Sequence, residues 1–351
     1  MKLQLKSEVV IADYSQPYII AEIGANHNGD MDLARHIIKV AKECGCDAVK
    51  FQSWTPDSLV AKEEYDRNQK YEDSPKKHFG SLRDMVEKYY LREDQHWELK
   101  RYCDNIGIEF CSTPFSKEEA NLLEEMKVPF YKVASMDINN LGFLSHVARK
   151  QKPILLSTGM ATLAEIENAI RTIEAEGNSQ IILLHCISIY PPAYEDINLN
   201  NIPMLRQAFG FPVGFSDHTI GISIPLVSVA LGSCLIEKHF TLDKNMPGWD
   251  HEISANPDEM KAIVEESRNI IKALGSFRRV VSQAEEGKKL KFRRSIVAST
   301  HLEKGHEIIP TDLIFKRPGT GIPPDRLDCI LGRKVNKDVK AGELLKWGDL
   351  L

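Results

Sequence analysis

The chain has 351 residues, 42% hydrophobic and 27% charged, with 45 basic against 50 acidic side chains. That is enough apolar material for one large domain and a small one, while a net charge of −5 gives no footing for nucleic acid or an anionic membrane. No stretch approaches the ~18 apolar residues that span a bilayer, and the N-terminus lacks an apolar signal core. The seven cysteines, odd in number and irregularly spaced, read as reduced, buried thiols of a cytoplasmic protein.

In chain order, the first strand is expected in YIIAEIGAN (18–26). The helix after it lies in DLARHIIKVAKECG, where Leu33, Ile37, Val40, Ala41 and Cys44 share a stripe. Asp30 is placed to cap its start and Gly45 to end it. AVKFQ (48–52) is the second strand. The excursion that follows, 53–94, is too long for an ordinary connection and reads equally as a lid or as a helical insertion. Strands then alternate with helical patterns: EFCSTP (109–114), FYKVAS (130–135), ILLSTG (154–159), IILLHC (181–186), VGFSDH (213–218) and LIEKHFT (235–241). The helices between and around them fall at 93–105, 117–126, 141–150, 163–176, 202–209, 222–232 and 258–274. Short runs rich in Ile, Val and Phe suit strands buried on both faces.

Eight such strand–helix units predict an α/β chain folded as a (β/α)8 TIM barrel over residues 1–275. A doubly wound open sheet is the weaker alternative, because no G-x-G-x-x-G opens the first helix. Residues 276–292 are charged and weakly patterned and read as a linker. Residues 293–351 hold short β-like pieces broken by Gly and Pro, a second, small, β-rich domain.

Active sites of such barrels sit at the C-terminal ends of the strands. The polar residues there are Glu22, Lys50 and Gln52, Thr113, Lys132 with Ser135 and Asp137, Ser157, then Ser188 and Tyr190, Ser216-Asp217-His218, and Glu237-Lys238-His239. A lysine inside an apolar strand is costly without a partner. Lys50 and Lys132 with nearby hydroxyls therefore suggest a cradle for an anion, against the plainer reading that they neutralise barrel acids such as Glu22. His218 and His239, at the ends of neighbouring strands, could together hold a divalent metal; each alone is more often a hydrogen-bonded core residue. Asp250, on the loop after strand eight, could bind a sugar hydroxyl.

The segments IAEIGANHNGD, AVKFQ, FCSTPF, YKVAS, ILLSTGM, GFSDHTIG, EKHFTLDKNMPGWDH and KRPGTGI closely resemble the sialic acid (nonulosonic acid) synthases, in order and over almost the whole chain. From about Arg293 the tail resembles that family's antifreeze-like, or SAF, domain. The resemblance implies condensation of phosphoenolpyruvate with an N-acyl hexosamine, in a homodimer whose small domain covers the partner's barrel mouth. It implies Mn2+ or Mg2+ on His218 and His239. Phosphoenolpyruvate would be held by Lys50, Thr113, Lys132, Ser135, Ser157 and Ser216, with Gln52 and Ser188 counted among the substrate-binding residues. Glu22, Tyr190 and Asp250 would address the open-chain sugar, and Arg317 would reach the N-acyl group from the other subunit. Glu22 or Asp137 would steer water or protons.

The chain departs from the family's pattern at three places. Ser135-Met136-Asp137 stands where Ser-Gly-Glu is common, Ser188 where asparagine occurs, and Trp249 where a proline is usual. The last lies beside Asp250, which makes a diacetamido-trideoxyhexose, giving legionaminic or pseudaminic acid, an alternative to plain N-acetylmannosamine. Two other readings stay open: a phosphorylated acceptor met by Lys76, Lys77, His78 and Arg83, and a non-catalytic sugar-binding protein on the same scaffold.

Overall fold

A computed structural model describes residues 2–4, 10–68 and 80–351. Contacts divide the chain between Gly275 and Ser276 into two compact units. In the first, a short hairpin of β1 (Lys2–Gln4) and β2 (Val10–Ala12) precedes eight parallel strands. These are β3 (Tyr18–Glu22), β4 (Ala48–Ser53), β5 (Glu109–Pro114), β6 (Tyr131–Val133), β7 (Ile154–Ser157), β8 (Ile181–Cys186), β9 (Val213–Asp217) and β10 (Leu235–His239). Their hydrogen-bonded order is β5-β4-β3-β10-β9-β8-β7-β6, and β5 and β6 lie side by side at the seam. The sheet is thereby rolled into a TIM-like barrel, as the eight apolar runs predict.

The helices are α1 (Met31–Glu43), α2 (Pro56–Leu59), α3 (Lys62–Arg67), α4 (Leu82–Tyr89), α5 (Glu93–Ile106), α6 (Lys117–Glu125), α7 (Leu141–Ala148), α8 (Leu163–Ala175), α9 (Tyr194–Ile197), α10 (Asn201–Phe209), α11 (Ser223–Ala230) and α12 (Pro257–Leu274). Asp30 caps α1, accepting from the Asp32 and Leu33 amides, and Gly45 follows at φ +88°. The buried face of α1 is Ala34, Ile37, Ile38 and Ala41, rotated slightly from the expected stripe, with Leu33 and Val40 only partly buried.

Alternation along the strands builds two layers and then a site. Ile19, Ala21, Val49, Phe51, Leu156 and Ile236 face the helices in the main core. Tyr18, Ile20, Ala48, Leu155, Leu184 and Leu235 fill the lower barrel interior. Two residues further along the same inward rows the chemistry turns polar: Ile20 gives way to Glu22, Ala48 to Lys50, Leu155 to Ser157 and Leu235 to Glu237. All four of these polar side chains are buried.

The long excursion is helical. Capping boxes at Thr55–Ser58 and Ser81–Asp84 start α2 and α4. Trp54, Tyr65, Leu82, Met85, Val86 and Tyr89 give it a core of its own, shared with Ala25. Trp249, on the loop after β10, joins that core edge-on to Trp54 at 6.3 Å between ring centroids. Residues 69–79 lie outside the described residues, and with them Lys76, Lys77 and His78. Arg83 is engaged with Glu87 and with the Tyr65 ring.

The second unit begins with α13 (Gln283–Phe292), inside the stretch expected as a linker. Strands β11 (Ser295–Ala298) and β12 (Leu313–Lys316) pair antiparallel above a core that includes Ile296, Leu302, Ile308, Ile322, Val335 and Leu345. Six cysteines are buried and Cys329 is exposed, and all are free. The expectation of buried thiols therefore fails at Cys329 alone.

Candidate active site

Strand register sets the height of each group. Glu22 pairs level with Lys50 on one side and with His239 on the other; Gln52 is level with Thr113, and Glu237 with Ser216. The inward side chains surround a cavity of about 280 Å³. Eleven of the residues singled out from sequence line it: Glu22, Lys50, Gln52, Lys132, Ser135, Ser157, Ser188, Tyr190, Ser216, His218 and His239. Thr113 accepts from Lys50 Nζ at 2.9 Å just behind them.

The floor is a buried charge cluster. Lys50 Nζ lies 2.6 Å from Glu22 Oε2 and 3.8 Å from Glu237 Oε1, and Lys132 Nζ lies 3.8 Å from the same Glu237 oxygen. Burial works against every charge here, and the neighbours decide each outcome. Lys132 is held below the usual lysine range, chiefly by burial. Burial alone would do the same to Lys50, but Glu22 and Glu237 raise it. Glu237, against its own burial, is kept low by Lys132 and Lys50, with Ser216 donating to Oε1 at 3.1 Å. Glu22 is pushed up to about 7 by burial, with Glu237 adding to the rise and Lys50 opposing it. Two carboxylates in one cavity are thus set to different tasks, one fixed as an anion and one able to exchange a proton near neutrality.

Hydroxyls and a glycine complete the wall. Ser157 Oγ is buried without a hydrogen-bond partner among the described residues. Ser135 Oγ accepts from the Gly159 amide at 3.1 Å. A Cβ at Gly159 would stand 2.7 Å from that oxygen and 2.5 Å from Ser188 Oγ, so only glycine lets the two hydroxyls converge. Gly24 is similarly required: at φ +51° it brings the backbone under Glu22, Gln52 and His239.

The two histidines converge at the rim, ring centroids 5.5 Å apart. His218 Nδ1 donates to the Ile187 carbonyl at 2.8 Å. A carbonyl can only accept, so Nδ1 carries the proton of that bond, and against the ring's burial its hydrogen bond with Cys186 raises the affinity of His218 for a second proton. His239 Nδ1 lies 3.8 Å from Asp250 Oδ2, and the Tyr190 ring packs 4.1 Å from the His218 ring. Among the described residues no three His, Cys, Asp or Glu side chains close around one point. Two converging imidazoles could supply part of a divalent ion's shell and leave its other positions to water or substrate, but they do not make a closed structural site.

Two of the groups named from sequence stand off the cavity lining, and several residues on it carry no role in the sequence reading. Asp137 does not line the cavity; it is half-buried beside Asn140, and its Oδ2 has no hydrogen-bond partner among the described residues. Asp250 lies behind His239 rather than on the cavity wall. Arg317 belongs to the second unit, exposed, with its guanidinium 5.1 Å over the Phe292 ring. Glu237, Cys186, Met136 and Met160 line the cavity without having been assigned roles. Alternation was signal enough for Glu237, since it stands two residues before His239.

The NeuB family model matches residues 37–279, and the SAF domain model matches 293–351. The chain belongs to the NeuB family. It is 41% identical over 338 residues to the N,N'-diacetyllegionaminic acid synthase of Legionella pneumophila, covering 94% of this chain and 93% of that one. It is 34% identical to human N-acetylneuraminate-9-phosphate synthase, covering 91% and 88%. Among solved structures, the N-acetylneuraminic acid synthetase of Leptospira borgpetersenii superposes with a TM-score of 0.73 at 33% identity, covering 82% of this chain and 95% of that one. This NeuB-family chain is accordingly a synthase-type enzyme of nonulosonic acid biosynthesis, a barrel carrying a SAF domain.

Proposed function

We propose that the enzyme joins phosphoenolpyruvate to the aldehyde carbon of an open-chain N-acyl-mannosamine-type sugar, giving a nonulosonic acid and inorganic phosphate. The observation that carries this is one cavity holding two buried lysines, an unpartnered serine hydroxyl and a carboxylate that titrates near neutrality, below a pair of imidazoles. In balance, C3 of phosphoenolpyruvate attacks the aldehyde, water adds at C2, and the tetrahedral adduct loses phosphate by C–O cleavage. Lys50 and Lys132 meet the carboxylate and phosphate with charges already in place, while Ser135, Ser157 and Ser188 supply directed donors. Glu22 takes the proton from the water that adds at C2. A divalent ion, Mn2+ or Mg2+, on His218 and His239 would supply Lewis-acid polarisation of a carbonyl oxygen.

A diacetamido-trideoxyhexose acceptor is the second reading, favoured by the 41% and 40% identity to two N,N'-diacetyllegionaminic acid synthases. The barrel rim exposes Met136, Met160, Ile189, Tyr190, Tyr194 and Ile220, an apolar surface suited to a partner subunit. This supports a homodimer in which the small domain of one copy covers the other's cavity.

The direct test is phosphate release from phosphoenolpyruvate with added Mn2+, across N-acetylmannosamine and diacetamido-trideoxyhexoses, with the product identified by mass. Release with an N-acyl sugar establishes the reaction; none with any of them leaves the sugar-binding alternative. A second test addresses Glu22. The proton-accepting form is lost as pH falls, so kcat/KM drops below a midpoint near 7 in the wild type. Glu22→Gln removes that limb and lowers kcat by about 10²-fold or more. An unchanged pH profile in the variant would reassign the base.

A further inference from the structure

One charged pair of the barrel lies outside the cavity and has no place in the chemistry above. On β10, Glu237 and His239 face inward, and Lys238 between them points into the helix-facing layer among residues such as Ile236 and Phe240. On β9, Asp217 occupies the same outer layer two residues after Phe215. The register sets Lys238 level with Asp217, and their side chains are only 1% and 0% exposed. Lys238 Nζ lies 2.6 Å from Asp217 Oδ2 and donates to the Thr219 carbonyl at 2.6 Å. Asp217 in turn accepts from the Thr219 amide at 2.9 Å and from the Thr219 hydroxyl at 3.1 Å.

Burying an ion pair in an apolar layer is a poor way to gain stability, since a well-packed apolar pair of similar volume commonly serves as well. What this one does is geometric. Each partner immediately precedes a rim histidine, and Thr219 immediately follows one. The network ties the chain on both sides of His218 to the residue before His239, across the two strands that carry them. We propose that Lys238, with Asp217 and Thr219, is a positioning clamp that fixes the separation of the His218 and His239 imidazoles so that both address one divalent ion. The proposal rests on the reading of that pair as the metal-holding groups.

The test uses the full-length chain and the near-isosteric double variant Lys238→Met with Asp217→Asn. The variant keeps both shapes and the acceptor for the Thr219 amide but removes the charges. Mn2+ titration is expected to show affinity reduced about tenfold or more. The imidazole 15N resonances of His218 and His239 in metal-free protein are expected to shift or broaden, with thermal unfolding little changed. Wild-type affinity together with unmoved resonances in the double variant overturns the clamp. If the wild type itself binds no Mn2+, the metal reading fails on its own, and the ring resonances alone then decide the clamp. Should the double variant fail to fold, Asp217→Asn alone is measured in the same way, and unchanged affinity and resonances there overturn the proposal.

Discussion

Replacing His239 by alanine is expected to abolish metal-dependent turnover, by about 10³-fold in kcat/KM, while leaving the barrel folded. The side chain stands at the end of β10 on the cavity wall and belongs to none of the apolar clusters. Its loss therefore opens space into an existing cavity instead of breaking packing, and the expected stability change is no more than about 1–2 kcal/mol. Function is a different matter. With His239 gone, His218 is a single imidazole on a half-open site, too few ligands to hold an ion against water. Thermal unfolding, Mn2+ titration and phosphate release on the same preparation separate the two effects. A variant that keeps wild-type turnover at unchanged metal content removes His239 from the metal assignment.

The barrel was legible because its strands are buried on both faces, so IILLHC and LIEKHFT announce themselves as continuous apolar runs ending in polar groups. The site was legible for the same reason: a lysine such as Lys50 or Lys132 has no business in such a run unless something meets it. What escaped were residues whose type carries no signal. Cys186 reads as one more buried thiol until the cavity places it on the wall, beside Met160, whose type says nothing of a site. Glu237 was named at its strand end but given no role, because attention went to the histidine two positions on. Asp137 looked equivalent to other strand-end acids, but the turn at Ser135–Asp137 carries its side chain toward Asn140. In the second unit, α13 was passed over because its charges show no apolar stripe, and it buries none of its residues. Its start was nonetheless written in Ser282 and Glu285, which form a capping box. Trp249 was noticed for departing from a pattern; its physical role, packing the β10 loop against Trp54 and Tyr89, needed the fold.

Removing the second unit, or only Arg317, is the other change expected to be severe. Residues 276–351 form a compact unit with a core of their own, so truncation leaves the apolar clusters of the barrel intact. The exposed Arg317 guanidinium, poised over Phe292, is a planar donor suited to an amide oxygen or carboxylate. If it completes the partner's cavity at the N-acyl group, Arg317→Ala raises the acceptor KM and lowers kcat/KM by roughly 10- to 100-fold, with phosphoenolpyruvate binding unaffected. On the same reading the truncated chain would lose more, because the mouth would then be open to water. A mixing experiment distinguishes a shared site from a self-contained one. Arg317→Ala and His239→Ala homodimers are each impaired, for different reasons. Each heterodimer then contains one cavity with both defects and one with neither. Subunit exchange between equal amounts is expected to restore about a quarter of wild-type activity by random pairing. Recovery fixed at the level of the separate variants would make the site self-contained within one subunit, and full activity in the truncated chain would place Arg317 outside the catalytic assembly.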